Sequence, residues 1–519
     1  MAPLAVITRA ELEKHSTEGD GWIVINDLVY DLSKFYALHP GGEEVLREHY
    51  GKDSTEAFYG LHRHEVLEKY GPKFLKGRIE GSSETPEVME SAGDVSGVPF
   101  AEAPFFRGEA SAYWKPQHLE FRKHVRKWVH ENIREVAEQC ELSGQPPSDE
   151  IFTKLADFGM LAMRIGPGEH LKYAPKGLPM GMKLEDFDYF HEQICHEEIG
   201  RLATPGFTDG IGSGMVIGLP PVIMHGPDWM KEKVGRDVLS GAKRICLAIS
   251  EPTAGSDVAN IRTTAKLTPD GRHYVVNGVK KWITNGCEST YFTTLVRTGG
   301  PGMAGLSMLL IERSPGLETT RISTSYSKSA GTAYIELKDV MVPVENLIGA
   351  EGAGFLLAMG NFVHERWMII TYISMASRGI LSEVYKWCNQ RKAFGRSLLN
   401  QPVVRMRLAK MSAECEAVTA WHESMTYQMC HMEAHEQGEK LAAKCSLLKY
   451  YATRVANEIS DDAVNIFGGR AITAGGMGRL VERFQRTYKF AAILGGSEDV
   501  LADAAIRMSI KDFPTNAKL

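Results

Sequence analysis

Paired cysteines are missing from this sequence. The eight cysteines (Cys140, Cys195, Cys246, Cys287, Cys388, Cys415, Cys430 and Cys445) stand singly, with no Cys-x-x-Cys pair. That scatter argues against a disulfide framework or a zinc site and reads as reduced, mostly buried thiols of an intracellular chain. No uninterrupted apolar stretch reaches the ~20 residues that a membrane-spanning helix needs. A strong basic field is also lacking: 59 Lys and Arg stand against 65 Asp and Glu, a formal charge of −6. Neither nucleic acid nor an anionic membrane is therefore an expected partner. The opening segment has no signal-peptide apolar core and carries acidic residues that a mitochondrial presequence avoids. What is present is ordinary globular composition, 519 residues with 43% hydrophobic and 24% charged side chains. At roughly 150 residues per domain this suggests three or four domains.

Composition and periodicity divide the chain without any internal repeat. Residues 1–80 form a compact mixed module. Residues 81–104, rich in Gly, Ser, Pro and Glu, read as a linker because they bury too little surface to offset their ordering entropy. Helical spacing dominates 105–242, short β-rich runs occupy 243–350, and helical spacing returns over 351–519. In the last segment Val404, Leu408, Met411, Cys415 and Val418 place one apolar stripe on one helix face, with Asn400 and Pro402 suited to its start. Asp270-Gly271 and Asn277-Gly278 are expected at tight hairpins. Gly300-Pro-Gly-Met-Ala-Gly305 matches a dinucleotide fingerprint only formally, because a strand follows it; it is read as a hairpin loop. The end of the sequence, Ala517-Lys518-Leu519, is close to a Ser-Lys-Leu address, so a peroxisomal location is expected, with the cytoplasm as alternative.

The front module carries His39 in the run Leu-His39-Pro-Gly-Gly42, and His62 follows in Phe58-Tyr-Gly-Leu-His62. Two neutral imidazoles on opposed hairpins can hold both axial positions of a haem iron, which leaves an electron carrier with no open site. The run from WIVINDLVYDLSKFYALHPGGEEVL through FYGLH to KFLKGRIEG resembles cytochrome b5 domains over residues 6–80. The resemblance implies haem b, with His39 and His62 as ligands and His64 as the rival for the second position.

In the larger part, Ser250-Glu-Pro-Thr-Ala-Gly255-Ser256-Asp-Val258 leaves a strand end with small and hydroxyl-bearing residues, and Trp282-Ile283-Thr284-Asn285 ends another strand. Such ends suit a flat polar ring and a substrate carbonyl. Together, ISEPTAGSDV, NGVKKWITNG, RKAFGR and NIFGGRAIT resemble the acyl-CoA dehydrogenase family from about residue 110 to 510. The resemblance implies a helical domain, a β-barrel-like domain and a C-terminal four-helix domain. It also implies FAD at a site that a neighbouring subunit of a homodimer or homotetramer completes. The cofactor residues it implies are Leu247, Ser250, Gly255, Ser256, Trp282, Ile283, Thr284, Arg391, Lys392, Phe394, Asn465, Gly468, Gly469, Ser497 and Asp499, and for the acyl-CoA substrate Ser256, Arg366 and Gly496. Pro402 (beside Gln401) and Asn465 stand where the family usually has glutamines, which makes the adenine contacts a departure from the pattern.

Oxidation at Cα–Cβ of an acyl thioester needs a base for the α-proton. Many family members place a glutamate in a Tyr-Glu-Gly-Thr run; here the run reads Leu494-Gly495-Gly496-Ser497, with glycine at the glutamate position. Long-chain and isovaleryl-type members instead draw a glutamate from an earlier helix, and this chain has His364-Glu365-Arg366 there. Glu365 is accordingly the expected base, with a raised pKa. The product would be a trans-2-enoyl-CoA, with electrons passing to or through the fused haem. The acceptor beyond it, a carrier protein or O2, stays open. Two further readings are a flavin oxidase using O2 and a non-enzymatic haem and flavin binding protein. The insert from Pro167 to Pro179 is expected as a surface loop, or else as a segment that reshapes the acyl entrance.

Overall fold

The computed structural model describes residues 4–82, 94–511, 513, 514, 516 and 517. Residues 83–93 of the expected linker, and Lys518 and Leu519 of the C-terminal tripeptide, lie outside the described residues. The chain forms two compact units, residues 1–91 with 383–409 and 463–482, and residues 92–382 with 410–462 and 483–519.

In the smaller unit the strands Asp20–Ile25 and Leu28–Asp31 make a hairpin whose turn, Asn26-Asp27, has both residues at positive φ (50° and 61°). Asn and Asp tolerate that conformation, and it matches the strand twist. Ile23, Ile25, Tyr30, Leu32, Leu46 and Tyr50 form the core beneath it. Helices Thr55–Leu61 and His64–Phe74 follow, and the loop between them carries His62 and Arg63. A boundary at residue 80 does not anticipate that the same unit takes in two distant segments. Arg63 Nη1 pairs with Glu383 Oε2 at 2.5 Å and donates to the Met477 carbonyl at 3.0 Å. Gln390 Nε2 donates to the Tyr59 carbonyl at 2.9 Å, and Lys392 pairs with Glu56 at 2.5 Å.

The larger unit begins before its first long helix. Glu102 is 1% exposed and takes a bidentate bond from Arg126 at 2.7 and 3.0 Å. Residues 94–104 are thus part of the packed body rather than a linker, because a buried arginine–carboxylate cluster holds them. Helices α1 (Pro116–Asn132), α2 (Tyr189–Gly200), α3 (Pro205–Gly210) and α4 (Ser213–His225) follow. The stretch Pro205–His225 is the one described segment long and apolar enough to cross a membrane, but 78% of it is buried within the protein.

An eight-stranded sheet comes next: β1 (Ile245–Ala248), β2 (Thr264–Leu267), β3 (His273–Ile283), β4 (Tyr291–Arg297), β5 (Leu306–Glu312), β6 (Leu317–Arg321), β7 (Ala333–Pro343) and β8 (Leu347–Ile348). The order is β6-β7-β3-β2-β4-β5-β8, with β1 parallel to β4. Asp270-Gly271 turns β2 into β3, and Gly300–Gly305 connects antiparallel β4 and β5, both as expected. Asn277-Gly278 is not a hairpin; it lies inside β3. A Cβ on Gly278 would stand 2.6 Å from Thr263 Cα, so the glycine serves a close backbone approach. Long helices α5 (Gly354–Gln390), α6 (Pro402–Met429) and α7 (Ala442–Phe467) and the short α8 (Lys489–Ile493) and α9 (Glu498–Ser509) complete the fold. The stripe from Val404 to Val418 is buried along α6.

Candidate active site

Glu365 sits on α5, near the start of a helix of 37 residues. Its side chain is 6% exposed, and Oε2 has no hydrogen-bond partner. Burial pushes its pKa up to about 7, against the opposing pull of the Arg366, Lys449 and His364 charges. Gly495 lies directly beside it. A Cβ on Gly495 would stand 3.6 Å from Glu365 Oε1 and 3.0 Å from Ile369 Cδ1, and its φ of +62° is a conformation that suits glycine. A residue 130 positions away in sequence is therefore packed closely against the carboxylate, and a side chain there would press on Ile369.

Two cations hold this glycine pair in place. Arg366 Nε donates to the Gly495 carbonyl at 2.9 Å, and Lys449 Nζ donates to the Gly496 carbonyl at 2.7 Å. Burial drives the Lys449 amine down to about 7. On the other flank, His364 Nε2 meets Glu192 Oε1 at 2.7 Å. The buried Glu192 carboxylate is held near 2 by His364 and His196, and the same contact raises His364. A cavity of about 570 Å³ opens beside His364. His170 and Tyr173 from the insert line it, and His170 and Leu171 are buried. The insert is therefore a wall of this cavity rather than a free surface loop.

The strand ends singled out in sequence lie together in the same unit. The Lys281 amide donates to the Ser250 carbonyl at 2.9 Å, which joins the end of β1 to the end of β3. Trp282 is 50% exposed at φ +63°, and Thr284 is buried. Leu247 and Ser250 are half-buried, Ile283 is buried, and Gly255 and Ser256 are exposed with open space at Gly255. A half-exposed indole at one strand end and open space at Gly255 beyond the other are the kinds of surface that suit a flat ring such as isoalloxazine. Ser497 begins α9 and is half-buried; Asp499 in its first turn is exposed.

The remaining implied cofactor residues belong to the smaller unit. Arg391 and Lys392 are exposed, and Phe394 is 96% exposed at φ +54° in the turn of a two-stranded ribbon. Asn465 is exposed, and Gly468 and Gly469 have open space where a Cβ would be.

In the front module the His39 and His62 rings face each other with centroids 5.9 Å apart. Their Nδ1 atoms lie 3.1 Å from the Gly42 carbonyl and 3.2 Å from the Phe58 carbonyl. Those contacts place the proton on Nδ1 and leave each Nε2 free to act as a ligand. His64 is otherwise engaged: its Nδ1 meets the Tyr59 hydroxyl at 2.8 Å, with the rings stacked. Haem fits the His39–His62 pair.

Among the described residues one other cluster has metal-ligand spacing, His118, Asp188 and His191. Hydrogen bonding accounts for it. Asp188 caps α2 through the Phe190 and His191 amides, and His118 Nδ1 accepts from the Lys115 amide at 3.0 Å. His118 Nε2 then carries the proton and donates to Asp188 at 3.3 Å.

Family models match most of the chain. Those for the N-terminal, middle and C-terminal domains of acyl-CoA dehydrogenase match residues 115–242, 246–340 and 352–509. An acyl-CoA dehydrogenase of Emericella nidulans, apdG, is 41% identical over 430 residues, covering 82% of this chain and 98% of the relative. One from Alternaria alternata, AFT10-1, is 32% identical, with 80% and 97% covered. The chain belongs to the acyl-CoA dehydrogenase family. A solved acyl-CoA dehydrogenase from Geobacillus kaustophilus matches with a TM-score of 0.67 at 25% identity, over 78% of this chain and 100% of that one. Residues 8–80 match a cytochrome b5-like heme/steroid binding domain. The protein is thus an oxidoreductase of the acyl-CoA dehydrogenase fold with FAD as the family's cofactor and a haem-type front domain.

Two residues near these positions were given no role by the sequence. Lys449 is one; a lysine in a helix gives no sign that it closes on a glycine carbonyl 47 residues later. Glu251 is another. Buried Lys280 pairs with it at 2.9 Å, and the Arg262 and Thr263 amides donate to it, so it latches the Ser250–Val258 loop shut. Its place inside the Ser-Glu-Pro run was the available signal.

Proposed function

We propose that the protein oxidises an acyl-CoA to the trans-2-enoyl-CoA, with Glu365 as the base and the fused haem domain as the receiver of electrons. The observation that carries the reading is a buried carboxylate with one unpartnered oxygen and a pKa near 7, next to a glycine at the position where other members of the family place their glutamate. At neutral pH about half of such groups are ionised and ready to take the α-proton. Arg366 and Lys449 lie close enough to stabilise the carboxylate while it waits, and both hold the glycine backbone that the acyl group would pass. Bound FAD would supply the hydride acceptor at the β-carbon. Trp282 and Thr284 would border its ring, Ser256 the substrate as well, and Gly496 and Arg366 the thioester side.

A partner subunit fits what the smaller unit offers. Phe394, fully exposed on a strained turn, and the open backbone at Gly468 and Gly469 are surfaces that wait for something to cover them. FAD of a neighbouring subunit in a homodimer or homotetramer is that occupant in this reading. The haem-type domain is tied to the same segments through Arg63–Glu383 and Lys392–Glu56, which supports its service to a flavin there.

Anaerobic mixing of the holoenzyme with a panel of acyl-CoAs tests the proposal. Bleaching of the flavin band followed by the spectrum of reduced haem is the expected order. A haem that stays ferric after the flavin is bleached removes the electron-transfer part; fast oxygen uptake with no haem reduction would make the enzyme an oxidase instead.

A further inference from the structure

The cavity beside His364 has no part in the chemistry above. Its volume of about 570 Å³ lies in the range of small-molecule sites. Exposed Lys172 and Met224 border it, while buried His170, Val363 and Gln437 close it off.

The cavity and the base lie on different sides of α5. Gly360, Val363 and His364 line the cavity, whereas Glu365, Ile369 and Gly495 do not. Ile369 faces Gly495, where a Cβ would stand 3.0 Å from its Cδ1. At 3.6 residues per turn the three cavity residues lie roughly 120–180° around the helix from Ile369. Asn361, one turn before Glu365, also lines the cavity, with its amide given to the Ile217 carbonyl at 3.2 Å. An acyl group that reaches Glu365 beside Gly495 therefore leaves this space unfilled.

The walls narrow the chemistry of an occupant. Ile165, Pro220, Ile223 and Val363, with Tyr173 and Tyr189, give it a largely apolar body. At the edge Lys172 and Lys231 stand against Glu169, Asp228 and Glu232. Lys231 is 3.8 Å from Asp228, and Glu232 takes the Tyr173 hydroxyl at 2.5 Å and also pairs with Arg236. Charges of the two signs nearly balance, so the field favours neither an anion nor a cation over a neutral molecule. Inside, His170 is 6% exposed, and burial drives its pKa down to about 4, which keeps the ring neutral. The Ala162 and Gly166 carbonyls bond the ring, while Nε2 has no partner and is left as an acceptor. An unpaired buried acceptor is costly, and an O–H donor relieves it.

We infer that this cavity is a second ligand site, separate from that of the base, and that it takes a neutral, largely apolar molecule whose hydroxyl group donates to His170. The inference goes beyond the dehydrogenase reading and does not rest on it, since binding here needs no proton transfer at Glu365.

Equilibrium dialysis of the holoenzyme at pH 7 against 2-naphthol, unhydroxylated naphthalene and anionic 2-naphthoate tests it. 2-Naphthol should bind at least about tenfold more tightly than either of the others, because a site that bonds a hydroxyl rejects the analogue without one. His170→Phe, which keeps a ring but no acceptor, should bring 2-naphthol down to the level of naphthalene. Ile223→Trp, which fills the cavity, should abolish binding of both. Acyl-CoAs of several chain lengths should leave the bound naphthol in place. The three probes compared on the unmodified protein need no variant, so the test holds even where a substitution prevents folding. Equal binding of 2-naphthol and naphthalene, a preference for the naphthoate, or no binding of any probe overturns the hydroxyl assignment. Displacement by an acyl-CoA, or full binding to folded Ile223→Trp, overturns the separate site.

Discussion

The site around Glu365 and the histidine pair of the front module solve opposite problems. Glu365 is charged chemistry taken out of water: burial alone lifts its pKa, and nearby cations at Arg366 and Lys449 keep it ionisable. The His39 and His62 imidazoles lie half-buried near the surface, and backbone carbonyls three or four residues away orient them. The first site is costly to the fold and tuned by distant residues; the second is local and nearly self-contained. Catalysis of proton transfer asks for the first arrangement, and simple electron carriage for the second.

Removing one ligand should separate the two sites most sharply. His62→Ala should abolish the haem absorbance, whereas His64→Ala, whose ring bonds Tyr59, should keep it; loss of absorbance only in the His64 variant would reverse the ligand assignment. In both variants substrate should still bleach the flavin.

A smaller effect is expected on stability at Glu365. Its folded pKa of about 7 lies above the ordinary 4.5, so the folded state holds the proton more tightly than the unfolded one. Its destabilising contribution is therefore absent below the unfolded pKa, grows as pH rises toward 7 and is complete above it. Glu365→Gln should be more stable than the parent at pH above 7, by up to about 3 kcal/mol. Denaturant titrations should show that gap closing in acid. A variant less stable than the parent at alkaline pH would mean that the carboxylate is satisfied rather than strained.

The smallest effect concerns the tie between the front module and the helical segments of its unit. The Arg63 side chain is 12% exposed and pairs with Glu383 and Glu65. Arg63→Ala should cost about 1 to 3 kcal/mol of local docking. Limited proteolysis should then release the front module faster while the haem absorbance persists; unchanged cleavage would show that the ion pairs do not hold it.

How much of this was legible in sequence follows the same contrast. The front module is matched as a haem-type domain over residues 8–80, so its short runs around His39 and His62 sufficed to name it, although only the Tyr59 contact sets His64 apart from His62. The proposal of Glu365 as the base rests on two positions read together, a glutamate at 365 and a glycine at 495, and on a family pattern that links them; the fold brings the two side by side. Lys449 was not legible, because its meaning lies in which carbonyl the fold brings to it. The Asn277-Gly278 turn failed for a related reason: a glycine needed for Thr263 to approach carries the same letters as a hairpin. Linker composition at 94–104 was overridden by one buried carboxylate, Glu102, among arginines.

The central claim is that the carboxyl group of Glu365 takes the α-proton. Anaerobic stopped-flow bleaching of the flavin by acyl-CoA, followed across pH in the parent and in Glu365→Gln, tests it most directly. The parent rate should rise with pH through a limb near 7 and then level off, as the base loses its proton. In the glutamine variant the rate should fall about 10²- to 10⁴-fold and the limb should vanish. A variant that bleaches at the parent rate, with the same limb, would contradict the account.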